Sequence, residues 1–265
     1  MYKTIFILLL FFTTSYSKTI ITVTYPIQEF FIKKIADNKL HIRTIYDDSG
    51  KFDSSNKKSL DRFLNGDYYF TFGLEEEKQL SNLLSFKNKS LETIDMTDNI
   101  GLLKLPNGHK NPYIWMDPIL VRTLAKNIYE KLVEISVYNK VDFKRNYEVF
   151  LSEIDNIYLD LKKRVDNSDL YGFYVFNNEL DYFAKRYRIN IYHKENRRLH
   201  ISEVSQTIRF SKKENISHIV IPKGSDYSIA QSYSSNINGK IVEVDIYDKS
   251  WKVNLFALVR GVTNF

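Results

Sequence analysis

Short runs rich in β-branched and aromatic residues alternate along most of the chain with longer segments whose apolar residues recur every three or four positions. Runs of the first kind are typical of buried strands, and segments of the second kind are typical of amphipathic helices. This alternation predicts mainly parallel sheets with helices on their faces. The predicted strands are 19–25, 40–46, 67–72, 171–176, 189–192, 218–221 and 241–244, and the predicted shorter helices are 28–36, 59–64, 179–187, 202–214, 228–236 and 250–259.

The longest amphipathic segment has no helix-breaking residue. Between Asp142 and Val165 the apolar residues recur mainly at spacings of three and four, and neither Gly nor Pro occurs. About 24 residues of uninterrupted helix would span roughly 36 Å, which is long enough to brace two lobes. Another helix is predicted to begin at Pro118, with Asp117 as its N-cap.

These elements predict an α/β protein of two lobes, with mainly parallel sheets flanked by helices, joined by one long helix. A chain of 265 residues is long enough for two lobes that each have a core. The expected boundaries are 18–140 for the amino-terminal lobe, 141–167 for the linking helix and 168–265 for the carboxy-terminal lobe.

Residues 1–17 have the pattern of a secretory signal peptide. Lys3 is the basic start, Ile5 to Phe12 is the apolar run, and Ser15 and Ser17 are small residues before the expected cleavage point. The apolar run is too short to cross about 30 Å of hydrocarbon as a helix. We therefore expect cleavage after Ser17 and, because the chain has no Cys for a lipid anchor, a free protein in the periplasm.

Composition excludes several kinds of site. The formal net charge is +6, but the basic residues are scattered, whereas nucleic-acid-binding proteins usually concentrate them on one element. The lack of Cys removes disulfides and thiolate metal ligands, and no phosphate-binding loop or Gly-x-Ser-x-Gly motif is present. We expect neither a nucleic-acid partner nor an enzyme, and Glu75, Glu76 and Glu77 are interpreted as solvated charges.

Three stretches carry a resemblance to a known family. Asn111–Pro118 is similar to the Asp-Pro-His-x-Trp-x-Asp-Pro segment of the zinc- and manganese-binding receptors of ABC importers. Asp181–Tyr187 resembles the segment that follows a metal-binding His in that family, and Asp67–Gly73 resembles the strand and turn at the end of its first ligand region. The match is in order and runs from Thr19 to about Val259.

The resemblance implies two lobes bridged by a rigid helix, with a divalent metal held in the cleft by three His and one acidic residue. At the corresponding positions this chain has Lys51, with Asp53 close by, then Tyr113, Asn177 and Asp245. Only the acidic position is kept. The expected metal ligands are therefore Tyr113, Asn177 and Asp245, and Lys51, Asp53 and His109 are expected to line the cleft.

The chemistry of these residues disfavours tight zinc binding. Phenol, amide and carboxylate oxygens suit harder cations such as manganese, and a protonated Lys cannot be a ligand. One hypothesis is that Lys51 occupies the place of the metal and pairs with Asp245, which would hold the lobes together without a ligand. His109 is either a substitute metal ligand or an exposed loop residue.

Two functions of different classes follow from the resemblance. The first is a periplasmic, monomeric receptor that captures zinc, manganese or another small solute and delivers it to the permease of an ABC importer. No other cofactor is expected. The second is a relative that no longer binds metal and acts as an interaction or regulatory protein.

Overall fold

Two separate parallel sheets form the framework of the protein. The computed structural model describes residues 18–46 and 61–263, and each of its sheets contains four strands. The first sheet has the order β2-β1-β3-β4 and consists of β1 (Ile20–Val23), β2 (His41–Thr44), β3 (Tyr68–Thr71) and β4 (Glu92–Asp95). The second sheet has the order β6-β5-β7-β8 and consists of β5 (Gly172–Val175), β6 (Asn190–His193), β7 (His218–Pro222) and β8 (Lys240–Val244).

Eight α-helices of the described residues flank the sheets or connect the lobes. They are α1 (Pro26–Ala36), α2 (Glu75–Lys87), α3 (Pro118–Ile135), α4 (Lys140–Asp166), α5 (Asp181–Tyr187), α6 (Ile201–Lys213), α7 (Tyr227–Ile237) and α8 (Trp251–Thr263). None of them has the length and apolar character that crossing a membrane would require. The predicted fold class of two parallel-sheet lobes flanked by helices is confirmed.

All seven predicted strands are present, and their ends lie within two residues of the predicted ones. The predicted helix at 59–64 lies partly outside the described residues. Strand β4 and helix α2 were not predicted from the sequence. Three of the four residues of β4 are exposed, because it is an edge strand, so it lacks the alternating apolar pattern that identifies a half-buried strand. Helix α2 begins with three Glu, which obscured its start.

The long helix is confirmed and extends one to two residues beyond its predicted limits. Helix α4 has 27 residues and packs against α1, α3 and α8, so it contacts elements from both parts of the chain. Its buried stripe consists of Phe143, Phe150, Ile154, Ile157, Leu161 and Val165. The predicted cap of α3 is also present, since an Asp117 carboxylate oxygen accepts a hydrogen bond from Ile119 N at 2.9 Å. The lobe boundaries at residues 140 and 167 stay a prediction.

Two tryptophans join the lobes at a buried junction. Trp115, between β4 and α3, donates from Nε1 to the carbonyl oxygen of Ile246 at 2.9 Å. Trp251, at the start of α8, donates from Nε1 to the carbonyl oxygen of Trp115 at 2.8 Å. Phe72 of the first lobe stacks on Trp115 with ring centroids 4.4 Å apart. The core therefore continues from one lobe into the other through this junction.

Glu77 corrects the interpretation of the acidic run as solvated charge. Its side chain is completely buried, and its carboxylate accepts hydrogen bonds from Gln28 Nε2 at 2.5 Å, Phe72 N at 2.8 Å and Leu74 N at 2.9 Å. Burial raises the pKa of Glu77 to about 7, against the hydrogen bonds that lower it. Glu77 therefore ties the start of α2 to α1 and the end of β3. Glu75 is exposed, as predicted.

We predict that Glu77→Gln destabilises the first lobe. The amide oxygen can keep the two backbone bonds that Oε2 accepts, but the new amide nitrogen then faces the donor Nε2 of Gln28. The loss of that buried hydrogen bond costs roughly 2 kcal/mol. Urea unfolding of the two proteins at one pH measures the difference. The control is Glu75→Gln in the same helical turn, which should change the free energy of unfolding by less than about 0.5 kcal/mol. Equal effects of the two substitutions would contradict the assigned role of Glu77.

Candidate functional site

The carboxyl ends of strands from the two sheets meet at one cleft between the lobes. In parallel sheets, side chains that follow the strands collect at this edge, which is where open α/β proteins bind ligands. Tyr25 follows β1 and Glu76 follows β3 in the first lobe, whereas Glu179 follows β5 and Tyr247 follows β8 in the second. The edges are in direct contact, because the amide of Ile27 donates to the carbonyl oxygen of Tyr247 at 2.9 Å.

Aromatic rings fill the contact between these edges. Tyr25 lies between Tyr46 and Tyr247, with centroid distances of 5.0 Å and 4.3 Å, and these three residues are called the tyrosine stack below. Tyr113 meets Tyr247 edge to face with centroids 6.5 Å apart. Burial is the main cause that raises the pKa of Tyr25, Tyr113 and Tyr247, so these phenols are neutral at physiological pH.

All three predicted ligands lie where their side chains already have protein partners, and Tyr113 and Asn177 are described first. Tyr113 is half-buried in the cleft, against Tyr247 and Trp115. The Oδ1 atom of Asn177 accepts a hydrogen bond from the amide of Glu179 at 3.2 Å. This hydrogen bond closes a turn that precedes α5. Metal ligation by Tyr113 and Asn177 stays a prediction.

Asp245 uses both carboxylate oxygens within its own lobe. Oδ1 accepts from the amides of Tyr247 at 3.2 Å and Asp248 at 3.1 Å, and Oδ2 is 2.9 Å from Lys223 Nζ. Its partner among the described residues is therefore Lys223. The predicted pairing with Lys51 involves a residue outside the described range, as does the predicted cleft position of Asp53.

His109 lies in an exposed loop and lines an open cavity. The cavity has a volume of about 630 Å³, and its walls include Glu76, Asp95, Tyr113 and His109. The amide of His109 donates to Oδ1 of Asn107 at 3.0 Å, which holds the loop as a turn. The cavity thus opens the cleft at the side where Tyr113 meets the first lobe.

Glu179 is a cleft residue that the sequence reasoning missed. Its Oε2 atom is buried and has no hydrogen-bond partner among the described residues, and burial raises the pKa of Glu179 to about 7. The charge of Glu179 contributes to raising the pKa of both Tyr113 and Tyr247, and a hydrogen bond with the Asn177 side chain opposes the rise in the pKa of Glu179 itself. Its position just after the carboxyl end of a predicted strand was the signal that could have found it.

Chemically, the described part of this cleft offers oxygen atoms. Carboxylate, phenol and amide groups are present, and among residues 18–46 and 61–263 no three His, Asp or Glu side chains converge as a metal site. Such donors suit hard cations better than zinc, which favours His nitrogen and Cys sulfur.

A second polar network fixes the segment that carries Tyr113. Oδ2 of Asp181 accepts from Asn111 Nδ2 and from Asn178 Nδ2, both at 3.1 Å, and Nε2 of His193 is 3.1 Å from Asp181 Oδ1. The hydrogen bond to Asp181 is the largest cause that raises the pKa of His193 above its ordinary value. This network joins residues 111–117, called the crossing segment below, to the start of α5.

We predict a pH-dependent effect of His193→Gln. Because the folded-state pKa of His193 is raised, its pairing with Asp181 stabilises the fold fully below about pH 6.5, and this contribution is lost as the pH rises through the raised pKa. The side chain is 42% exposed, so the effect stays below about 1 kcal/mol. Urea unfolding should show a larger difference between wild type and His193→Gln at pH 5.5 than at pH 8.5. The prediction would be contradicted if the change in unfolding free energy caused by His193→Gln were the same at both pH values. It would also be contradicted if the exposed control His41→Gln changed with pH to the same extent.

One family model matches most of the chain. The model of the family described as "ZnuA: Zinc-uptake complex component A periplasmic" matches residues 21–253. A search of curated proteins finds no match.

Solved structures with the same fold include metal-binding proteins. A crystal structure of ZnuA is 22% identical, with a TM-score of 0.83, and the alignment covers 94% of this chain and 99% of that chain. A Cd-bound periplasmic metal-binding protein from Candidatus Liberibacter asiaticus is 17% identical, with a TM-score of 0.78 and coverage of 92% and 100%. Zn(II)-bound AdcA from Streptococcus pneumoniae is 16% identical, with a TM-score of 0.73 and coverage of 93% and 58%.

Proposed function

Because the chain belongs to the ZnuA family of periplasmic zinc-uptake components, we propose that it is the solute-binding component of an ABC importer that captures a divalent metal ion between its lobes. The observation that carries this proposal is that the family match spans both lobes and that the strands' carboxyl ends meet at one cleft. The protein would act in the periplasm as a monomer and deliver its ion to the importer's permease. It would be a receptor and not an enzyme.

The proposed ion is zinc or manganese, held by an atypical site that is poor in His. Tyr113, Asn177 and Asp245 stand at the family's ligand positions, as the resemblance implies. An oxygen-only set favours manganese over zinc, because zinc prefers imidazole and thiolate ligands. The cavity beside His109 and Tyr113 supports the proposal, since it gives solvent a route to the cleft.

We predict that protein purified without a tag binds one divalent ion, with manganese favoured over zinc. Native mass spectrometry before and after titration with each ion measures the stoichiometry and the preference directly. The control is the same protein after dialysis against a chelator and return of the metal. If neither ion adds to the folded protein at micromolar concentrations, the proposal fails.

A second prediction concerns the missing imidazoles. The double variant Tyr113→His/Asn177→His should raise zinc affinity at least about tenfold, because two neutral imidazoles supply the ligands that zinc prefers. Isothermal titration with zinc compares it with the wild type. The matched control is Tyr138→His/Asn190→His, which adds two His at exposed positions and should leave zinc affinity unchanged. An equal gain in both variants would show that Tyr113 and Asn177 do not face a common ion.

One observation favours the alternative of a relative that binds no metal. The tyrosine stack already bridges the lobes, and Asp245 is engaged by Lys223 and by two backbone amides. An interaction or regulatory protein of this kind would show the same solution scattering curve and the same melting temperature with and without manganese. If the protein is a receptor that binds manganese, its melting temperature would rise with increasing manganese concentration.

A further inference from the structure

We propose that the open cavity beside Tyr113 is a second binding site, and that it takes a small zwitterion with one ammonium and one carboxylate group, such as an amino acid or a short peptide. The cavity has a volume of about 630 Å³. Pockets for small organic molecules typically have about 300 to 1,000 Å³, far more than a single metal ion fills. The inference goes beyond the proposed function, because it assigns a different class of ligand to a neighbouring site.

Residues 103–111 form a short hairpin that builds one wall of the cavity. The amide of Asn111 donates to the carbonyl oxygen of Leu103 at 2.8 Å, and Gly108 has the positive φ of 82° that its turn requires. Tyr182 of α5 closes the base of the hairpin. Its hydroxyl accepts from the amide of Leu103 and donates to the carbonyl oxygen of Asn111, both at 2.8 Å. A wall held in one shape before binding lowers the entropic cost of capturing a ligand.

This hairpin wall is basic. Lys110 and His109 both line the cavity, and neither forms an ion pair with any residue of 18–46 or 61–263. The ammonium group of a lysine has three donors and can hold a carboxylate of a ligand. Lys104 stands opposite Lys110 in the hairpin but does not line the cavity. The hairpin therefore presents a donor for a carboxylate group.

The facing wall belongs to the first lobe and is acidic. Asp95 ends β4 and Glu76 stands in the first turn of α2, and both line the cavity. Oδ1 of Asp95 accepts from the amide and the hydroxyl of Thr97 at 2.8 Å and 2.7 Å, whereas Oδ2 has no hydrogen-bond partner in the described part of the chain. Glu75 lines the same wall but is already paired with Lys78 at 3.1 Å. Asp95 and Glu76 therefore offer acceptors for an ammonium group.

The two walls have opposite charge, and no ion pair between described residues joins them across the cavity. A ligand with a single charge would be attracted by one wall and repelled by the other, whereas a zwitterion satisfies both. The lining also includes the apolar residues Leu74, Leu102 and Leu105, which suit an aliphatic side chain. Leucine and the dipeptide glycyl-leucine have the charges and the side chain that this lining fits.

Isothermal titration with leucine and with glycyl-leucine tests the proposal. Each is compared with its carboxyl amide, which lacks the negative charge, and with its N-acetyl form, which lacks the positive charge. We expect at least one zwitterion to bind at least about tenfold more tightly than both of its capped forms, because each cap removes one charged hydrogen bond.

Substitutions in the two walls identify the site. Lys110→Ala and Asp95→Asn should each weaken zwitterion binding at least about tenfold. Lys110→Ala should reduce the affinity to that of the amide, and Asp95→Asn to that of the N-acetyl form, which a general loss of stability would not do. The Asn side chain can still accept from Thr97, so the turn is kept. The controls Lys104→Ala in the hairpin and Glu92→Gln in β4 lie outside the lining and should change the affinity by less than about threefold.

Three results would overturn this inference. They are the failure of both zwitterions to bind at millimolar concentration, equal binding of the capped forms, and control substitutions that weaken binding as much as those in the cavity walls. Each of them leaves the proposed function intact, because native mass spectrometry measures manganese and zinc binding separately. Zwitterion binding by a protein that takes up neither ion would support this inference and reject the proposed function.

Discussion

The junction between Trp115 and Trp251 is the constraint on which the arrangement of the cleft depends. Each indole donates to a main-chain carbonyl, and both side chains are buried, at 0% and 3% exposure. A buried indole without an acceptor would be costly, so these two bonds fix the segment before α3 against the end of β8 and the start of α8. Tyr113 lies two residues before Trp115, and its place opposite Tyr247 follows from this anchor.

The fold could be predicted from the sequence because its signals are local. Strands β1, β3, β5 and β7 are apolar runs, and α4 shows its buried stripe over 27 residues without a break. Strand β4 was not predicted because an exposed edge strand needs no apolar pattern. Glu77 escaped for a different reason, since its burial depends on Gln28 and on two amides that only the folded chain brings together. Neighbouring acidic residues look alike in a sequence, whichever of them is buried.

The candidate site could be predicted only in outline. The resemblance directs attention to Tyr113, Asn177 and Asp245, and these residues do follow strands or lie on the crossing segment at the cleft. What the sequence alone does not provide is the set of partners each side chain has. Both carboxylate oxygens of Asp245 have partners within its own lobe, whereas Oε2 of Glu179 has none among the described residues, although both are acidic residues that follow a strand. The difference arises from the position of Lys223 and of backbone amides, which depends on tertiary packing.

The chain contains two Trp, and both belong to the junction between the lobes. All of the indole fluorescence of the native protein therefore originates at that one place, with Phe72 stacked on Trp115 and Phe31 against Trp251. The emission wavelength of these two indoles therefore depends on how far water is excluded from the junction between the lobes. Intrinsic fluorescence of the unlabelled protein should consequently report separation of the lobes, because water that enters the junction would shift the emission to longer wavelength.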